Sequence, residues 1–375
     1  MTAAPLRVAL LTPRYWPEVR RGSERFVREL ADGLIARGHR PRLITSHPGW
    51  PSRTDEDGLE VVRNWRPPER RLRRREFEDH LTHVPGSYLS LARGDDDVAH
   101  ALYPTDALAA ARWSEQSGRP AVLSWMGLPS RRWLVSRRLR GRIAAEAVTR
   151  CAAVTALSRT AADALGRELG VEARVIHPGV DLEAFAPGGP RAEEPTIVCA
   201  AALDQPQKRV GLLVEAFRAV RREHPRARLV LSRPAGGGAP PAGIEAEEGV
   251  ELRDLDDRGV LAAAYREAWV SALPSWGEAF GLVLVEAMAC GTPAVGSDLG
   301  AIPELVDRDE VGRLFHGDDP ADVARALLDA IELARDPATP GACRARAEDF
   351  STHATAEAYE GLYTELLSGA ATRRP

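Results

Sequence analysis

Short apolar runs alternate with amphipathic stretches along most of the chain. Residues 7–12 form an apolar run of strand length, and residues 42–45 form the next one. Between them, hydrophobic side chains recur at helical spacing: Phe26, Val27, Leu30, Leu34 and Ile35. This alternation predicts strands joined by helices, as in a parallel α/β sheet. The first loop lacks the G-x-G-x-x-G pattern that binds dinucleotides, so a nicotinamide-dependent enzyme is disfavoured.

The same pattern returns in the second half of the chain. Apolar segments of strand length lie at 196–200, 228–232, 250–254 and 292–297, and helical stretches at 318–333 and 354–367. A chain of 375 residues is too long for one typical core, which predicts two domains. Residues 185–195, with three prolines and two glycines, indicate a linker. The predicted domains are therefore 1–187 and 188–351, followed by a C-terminal helix at about 352–375.

One stretch, residues 274–293, carries the most specific chemistry. It predicts a loop over 274–278 and then a helix over 280–290 that stops at Gly291. Two glutamates, Glu278 and Glu286, lie eight positions apart across this loop and helix. The backbone N–H groups at the helix start would form an anion site, contributed by Ala279, Phe280, Gly281 and Leu282. This layout suits a ligand with phosphates between two groups of hydroxyls, such as a sugar nucleotide.

A core helix with two incidental glutamates is the alternative explanation. Glu286, however, stands in the apolar run Val-Leu-Val-Glu-Ala-Met-Ala. A carboxylate buried there needs hydrogen-bond donors, which favours a functional role.

Composition and charge restrict the class of protein. Hydrophobic content of 44% and aromatic content of 6% are typical of a globular protein. No apolar run reaches membrane-spanning length, the N-terminus enters a strand, and the four cysteines show no metal or redox spacing. We therefore expect a cytoplasmic protein with no metal site. Residues 1–187 carry 30 basic and 23 acidic side chains, and residues 188–375 carry 20 and 31. The basic half could attract an anionic acceptor or a membrane surface at the arginine-rich segment 66–80, or be simply solvated. No nucleic-acid partner is expected.

Lysine usage singles out one position. Of 50 lysines and arginines, Lys208 is the only lysine. It follows the predicted strand 196–200 in a loop before a helix that begins at Val210. Lys208 therefore carries a compact ammonium group, whereas the other lysine and arginine positions of the chain all carry a guanidinium.

Residues 273–306, continuing to 312–315, resemble the E-x7-E motif of retaining glycosyltransferases of family 4 (group 1), which have the GT-B fold. The resemblance implies two Rossmann-like domains, with the last helix returning to the first. It also implies sugar transfer from a nucleoside-diphosphate sugar, with UDP or GDP as the expected nucleotide, and without cofactor or metal. Glu278 would hold donor sugar hydroxyls, Glu286 the ribose, and Lys208 the diphosphate.

The resemblance also assigns residues elsewhere in the chain. Gly22 matches the second glycine of a loop that faces the donor. The segment Asp97 to His100 resembles the family's D-V-V-H strand. His100, Tyr103 and Met126 are accordingly expected on the acceptor side. Arg209 is added to the donor set because it adjoins Lys208.

Three positions depart from the family pattern. Arg21 stands for a glycine, Met126 for a histidine, and Ala202 for the arginine that joins the lysine on the diphosphate. These departures motivate an alternative hypothesis, a repurposed or non-catalytic protein of the same fold that binds a nucleotide sugar. An epimerase on this fold would lack the E-x7-E pattern. The favoured hypothesis is metal-independent transfer to a sugar-like, cyclitol or other small-molecule acceptor, in bacterial natural-product or cell-envelope glycosylation.

Overall fold

The computed structural model describes residues 4–18, 22–67, 79–203, 205–234, 243–244 and 246–372. The chain divides into two compact units, one of Met1–Gly179 with Thr352–Pro375 and one of Val180–Ser351. The sequence places this boundary at residue 187.

The first unit contains β1 (Arg7–Leu11), α1 (Gly22–Ala36), β2 (Arg40–His47), β3 (Ser52–Glu56), β4 (Leu59–Trp65), a 3-10 helix (Asp79–His83), α2 (Val84–Ala92), β5 (Val98–Ala101), α3 (Pro104–Ser117), β6 (Ala121–Trp125), α4 (Arg131–Val135), α5 (Arg140–Arg150), β7 (Ala153–Ala156), α6 (Arg159–Leu169) and β8 (Arg174–Val175). The second contains β9 (Thr196–Cys199), a 3-10 helix (Pro206–Lys208), α7 (Val210–Glu223), β10 (Arg228–Ser232), β11 (Val250–Arg253), α8 (Arg258–Glu267), β12 (Val270–Leu273), α9 (Leu282–Ala289), β13 (Ala294–Ser297), α10 (Ile302–Leu305), β14 (Gly312–Phe315), α11 (Pro320–Leu333) and α12 (Thr339–Glu348). The last helix, α13 (Thr352–Thr372), belongs to the first unit.

The first unit is built on an eight-stranded sheet in the order β3-β4-β2-β1-β5-β6-β7-β8. Its strand pairs are parallel except for the hairpin of β3 with β4. Val8 and Leu10 of β1 belong to one hydrophobic core, and Ala9 and Leu11 belong to another. Both faces of this sheet are therefore covered, as is typical of parallel sheets.

The helix α13 packs into the first unit, as the sequence predicts. Tyr359 and Tyr363 are fully buried in the core that also contains Phe26. The Tyr359 ring meets the Phe26 ring edge-on, with centroids 6.2 Å apart. The Tyr359 hydroxyl also bonds Ser124 Oγ on β6 at 2.8 Å. The return of the last helix to the first domain is confirmed.

The second unit has a six-stranded sheet in the order β11-β10-β9-β12-β13-β14, and every neighbouring pair is parallel. Counted from β9, this is the order 3-2-1-4-5-6 of the doubly wound nucleotide-binding fold. The order reverses between β9 and β12, which places a crevice at their carboxyl ends. The expectation of two parallel α/β domains is confirmed.

The helix of the E-x7-E stretch is shorter than predicted. It begins at Leu282 rather than at residue 280, because Gly281 lies before it with φ of 114°. That backbone angle is outside the helical region and favours glycine. At the other end, the helix stops at Gly291 as predicted, with φ of 83°. Among the described residues, no helix combines the length and the apolar character needed to cross a membrane.

Candidate active site

The loops that follow β9 and β12 meet at the point where the second sheet reverses its strand order. Lys208 ends the 3-10 helix after β9, and Glu278 lies in the loop after β12. The Trp276 N–H donates to the Gln207 carbonyl at 3.0 Å, which joins the two loops through their backbones. Ligands of doubly wound sheets bind at this place, so these loops form the candidate site.

Lys208 and Glu278 are in direct contact. Lys208 Nζ lies 2.5 Å from Glu278 Oε1, and their side chains are 20% and 16% exposed. A charge-assisted hydrogen bond of this kind, with most of its surface away from water, fixes both groups at one point. The residue singled out by lysine usage and the first glutamate of the motif therefore form one unit.

The backbone of Glu278 is held by the chain after β13. The Ala301 N–H donates to the Glu278 carbonyl at 3.0 Å. Gly300, with φ of 65°, allows this approach: a Cβ there would lie 2.6 Å from the Glu278 carbonyl oxygen and 2.9 Å from its nitrogen. Only glycine permits both the backbone angle and the contact.

The start of α9 is supported by buried side chains. Ala279 and Phe280 are buried, and the Phe280 ring packs edge-on against Phe350 with centroids 5.3 Å apart. That residues 279–282 offer their backbone groups to a ligand stays a prediction; Leu282 is the first helical residue. The first N–H groups of a helix have no intrahelical partner and carry the positive end of its dipole.

Glu286 lies inside α9 and is only 1% exposed. The Tyr265 hydroxyl of α8 donates to its Oε2 at 3.4 Å. The sequence indicated that a carboxylate in this apolar run needs a donor, but could not identify Tyr265. The ribose role of Glu286 stays a prediction.

Arg209 adjoins Lys208, and two of its three guanidinium nitrogens bond protein groups. Its Nε donates to the Pro274 carbonyl at 2.6 Å, and its Nη1 pairs with Asp318. Gly22, the other predicted donor residue outside the motif, is the exposed first residue of α1, and a Cβ there would meet nothing within 4 Å. The structure thus brings Lys208 and Glu278 together and gives Arg209 other partners.

His100 is not on an accessible surface. It is fully buried, its Nδ1 lies 2.7 Å from the Tyr363 hydroxyl, and its Nε2 lies 2.6 Å from Ser124 Oγ. Burial lowers the pKa of this histidine to about 3, so the ring is neutral at ordinary pH. Both nitrogens are occupied in joining α13 to the sheet, so the acceptor-side assignment of His100 is corrected to a structural one.

Tyr103 and Met126 lie at the carboxyl ends of strands in the first sheet. Tyr103 precedes α3, and its ring meets the His80 ring edge-on at 5.1 Å. Met126 follows β6 and packs partly buried against the core. Both are therefore at the edge of the sheet where loops gather, as expected of acceptor-side residues.

A polar cluster that the sequence did not predict lies beside Tyr103. His83 Nε2 lies 2.7 Å from Asp106 Oδ1, and both side chains are fully buried. Burial lowers the pKa of His80 to about 3, and the positive charges of Arg14, Arg66 and Arg137 contribute to this. These residues come from five separate chain segments, so no local pattern could have grouped them.

Some predicted positions lie outside the described residues. They are Arg21 and residues 68–78, which include most of the arginine-rich segment considered for membrane contact.

Two family models match the chain. One, described as Glycosyltransferase Family 4, matches residues 20–184, and the other, described as Glycosyl transferases group 1, matches residues 194–332. Each falls on one of the two sheets.

Curated relatives match about half of the chain. It is 33% identical over 216 residues to the D-inositol 3-phosphate glycosyltransferase of Streptomyces scabiei, covering 52% of this chain and 48% of that protein. It is 38% identical over 187 residues to the protein of the same name from Mycolicibacterium vanbaalenii, covering 44% and 41%. The chain thus spans about half the length of the curated relatives it matches.

Solved structures match nearly the whole chain. Sucrose-phosphate synthase from Thermosynechococcus elongatus has a TM-score of 0.80 at 23% identity, over 97% of this chain and 100% of that one. Anabaena HepE in complex with UDP-glucose has a TM-score of 0.72 at 19% identity, over 97% and 100%. These likenesses show the fold.

Proposed function

We propose that this chain, which belongs to the GT-B glycosyltransferases of family 4, transfers a sugar from a nucleoside-diphosphate sugar to a small polyol acceptor. The observation that carries the proposal is the contact of Lys208 with Glu278 at the switch point of the second sheet. It joins an ammonium suited to phosphate with a carboxylate suited to sugar hydroxyls. The Anabaena neighbour, whose structure holds UDP-glucose, makes a UDP-sugar the first donor to test.

The proposed reaction breaks the bond between the anomeric carbon and the diphosphate and forms one to an acceptor oxygen on the same face. Because the acceptor attacks on the face that the diphosphate leaves, the anomeric configuration is retained, and the acceptor proton passes to the departing phosphate oxygen. Negative charge grows on the leaving diphosphate. Lys208 and the N–H groups at the start of α9 stabilise that charge most strongly in the transition state.

Glu278 accepts hydrogen bonds from the donor sugar hydroxyls and orients the anomeric carbon. Its ion pair with Lys208 holds its carboxylate beside the group that meets the phosphate, and Gly300 and Ala301 fix its backbone. Such preorganisation removes the need to order these groups during the reaction.

We further propose that the acceptor carries a negative charge. Arg14, Arg66 and Arg137, whose charges act on His80 in the loops of the first unit, support this because guanidinium groups suit an anionic ligand; Arg66 also pairs with Glu18. The relatives named as D-inositol 3-phosphate glycosyltransferases make a phosphorylated cyclitol the first acceptor class to test.

Nucleotide binding tests the proposed donor, and turnover tests the proposed acceptor. The nucleotide that fits should raise the unfolding temperature as its concentration exceeds the dissociation constant, with UDP, GDP, ADP and dTDP compared. The matching labelled donor sugar is then supplied with inositol phosphate or free inositol. We expect the sugar to be transferred to inositol phosphate, and we expect Glu278→Ala to abolish this transfer. The control Glu247→Ala, which removes a carboxylate paired with Arg218 elsewhere in the same unit, should keep it.

Full turnover by Glu278→Ala would contradict the role of that carboxylate. Nucleotide binding without transfer to any acceptor would contradict the enzyme proposal, and preference for the neutral cyclitol would contradict only the anionic acceptor.

A further inference from the structure

Arg209 has a backbone conformation that is unfavourable for an arginine. Its φ and ψ are 49° and 36°, in the left-handed region. Among the described residues, Asp57 is the only other non-glycine with positive φ. Left-handed backbone at a non-glycine residue is unfavourable and persists only where other contacts compensate. In addition, Nη2 of Arg209 is buried without a hydrogen-bond partner. Two unfavourable features at one residue point to a role for its side chain.

The side chain joins three loops at the carboxyl edge of the second sheet. From the loop after β9, Nε donates to the Pro274 carbonyl at 2.6 Å in the loop after β12. After β14, Nη1 donates to the Gly317 carbonyl at 3.3 Å and pairs with Asp318. The guanidinium also lies over the Phe315 ring, 5.7 Å from its centroid. The planar, multi-donor guanidinium suits such a bridge, which a lysine could not make.

The backbone of Arg209 sets the direction of Lys208. Arg209 closes the 3-10 helix that ends in Lys208 and is the N-cap of α7. Its N–H donates to the Pro206 carbonyl at 3.1 Å, and its own carbonyl accepts from Leu212 N–H at 3.0 Å. Its side chain is anchored to Pro274, four residues before Glu278. One residue therefore holds both loops that carry the Lys208–Glu278 pair.

We propose that Arg209 is a positioning residue that fixes Lys208 against Glu278, and that it is not a ligand of the donor diphosphate. The arginine replaced by Ala202 is then not restored by its neighbour, and Lys208 is the side-chain cation of this site. This inference rests on the proposed function for its kinetic consequences, but the geometry of the lysine can be measured without turnover.

Three Arg209 variants separate backbone from side chain. Arg209→Gly allows the left-handed backbone but removes the side chain that bridges the three loops. Arg209→Ala removes the bridging side chain and also disfavours the left-handed backbone. Arg209→Lys keeps the positive charge but not the guanidinium contacts. We expect kcat/KM to fall roughly 10- to 100-fold in all three, as for a small misplacement of reacting groups. Arg218→Ala, which breaks a surface pair with Glu247, should stay near the wild-type value.

A double-mutant cycle distinguishes positioning from direct phosphate contact. If Arg209 acts through Lys208, then adding Arg209→Gly to Lys208→Ala should lower kcat/KM less than about threefold further. If the kcat/KM losses of the two single variants multiply in the double variant, Arg209 contacts the phosphate independently of Lys208, and the proposal is overturned. Wild-type turnover in Arg209→Gly would overturn it as well, because the backbone alone would then suffice.

The acylation rate of the sole lysine gives a readout that does not need activity. Measured by mass spectrometry on the peptide that contains Lys208, it should change several-fold in Arg209→Gly and stay constant in Arg218→Ala. An unchanged rate in Arg209→Gly overturns the positioning role even if the wild type transfers no sugar. Absence of wild-type turnover with a changed acylation rate contradicts the proposed function alone.

Discussion

A single methyl group at Gly300 should misplace Glu278. In Gly300→Ala the new Cβ would start 2.6 Å from the Glu278 carbonyl oxygen, whereas ordinary contact begins at 3.4 Å. The two segments must therefore separate by about 0.8 Å, the difference between those distances. A displacement near 1 Å at a reacting group lowers turnover about 100-fold.

The same substitution also destabilises the protein through its backbone angle, and a control variant measures that cost separately. Gly300 has φ of 65°, and alanine in the left-handed region costs about 1–2 kcal/mol. Gly189 has φ of 74° in the same unit, and a Cβ there would meet nothing within 4 Å. Gly189→Ala should therefore show the cost of the backbone angle alone, without moving Glu278.

Urea unfolding and steady-state transfer kinetics read the two effects separately. We expect Gly189→Ala to lower the free energy of unfolding by about 1–2 kcal/mol and Gly300→Ala to lower it further, because separating two backbone segments adds to the cost of the backbone angle. Only Gly300→Ala should lose about 100-fold in kcat/KM. Wild-type turnover in a folded Gly300→Ala protein would refute the reasoning that Glu278 must be held in place.

Three further predictions concern charge, pH and thiols. Lys208→Ala should lower kcat about 10²- to 10³-fold in transfer assays, as for loss of one group that stabilises a growing negative charge; an effect on KM alone would argue against that role. The pKa of His100 is about 3 when folded and 6.5 in its ordinary range, so the unfolded chain binds its proton first as pH falls. The contribution of this histidine should accordingly lower the free energy of unfolding by about 1.4 kcal/mol for each pH unit below pH 6.5. Urea unfolding measured at several pH values should show that the free energy of unfolding of His100→Asn depends less steeply on pH. Burial raises the pKa of every cysteine to about 11 or 12, so iodoacetamide at pH 8 should label the unfolded chain and spare the native one: Cys151, Cys199, Cys290 and Cys343.

Local patterns in the sequence predicted the sheets and the motif well. Apolar runs with helical stretches between them located the strands, because burial of both sheet faces leaves a strong periodic signal. The E-x7-E stretch and the single lysine identified Glu278 and Lys208, and the structure brings them into contact.

The contacts that the sequence did not predict depend on distant partners. His100 was expected to face an acceptor, but it bonds Tyr363, 263 residues further along the chain. Arg209 was assigned to the donor set because it adjoins Lys208, and its pairing with Asp318, 109 residues away, was not predicted. Such contacts follow from topology rather than from local spacing. The early start expected for α9 failed for a local reason, the left-handed backbone of Gly281.

Acylation of Lys208 in the presence of nucleotide is the most direct test of the central claim that this lysine binds the donor diphosphate. Because the chain has one lysine, its only other reactive amine is the α-amino group, which serves as an internal reference. We predict that the nucleoside diphosphate that stabilises the protein, at saturation, slows acylation of Lys208 about tenfold or more and leaves the reference unchanged, as expected if about nine-tenths of the sites are occupied and shielded. An equal rate at Lys208 with and without saturating nucleotide would contradict the account.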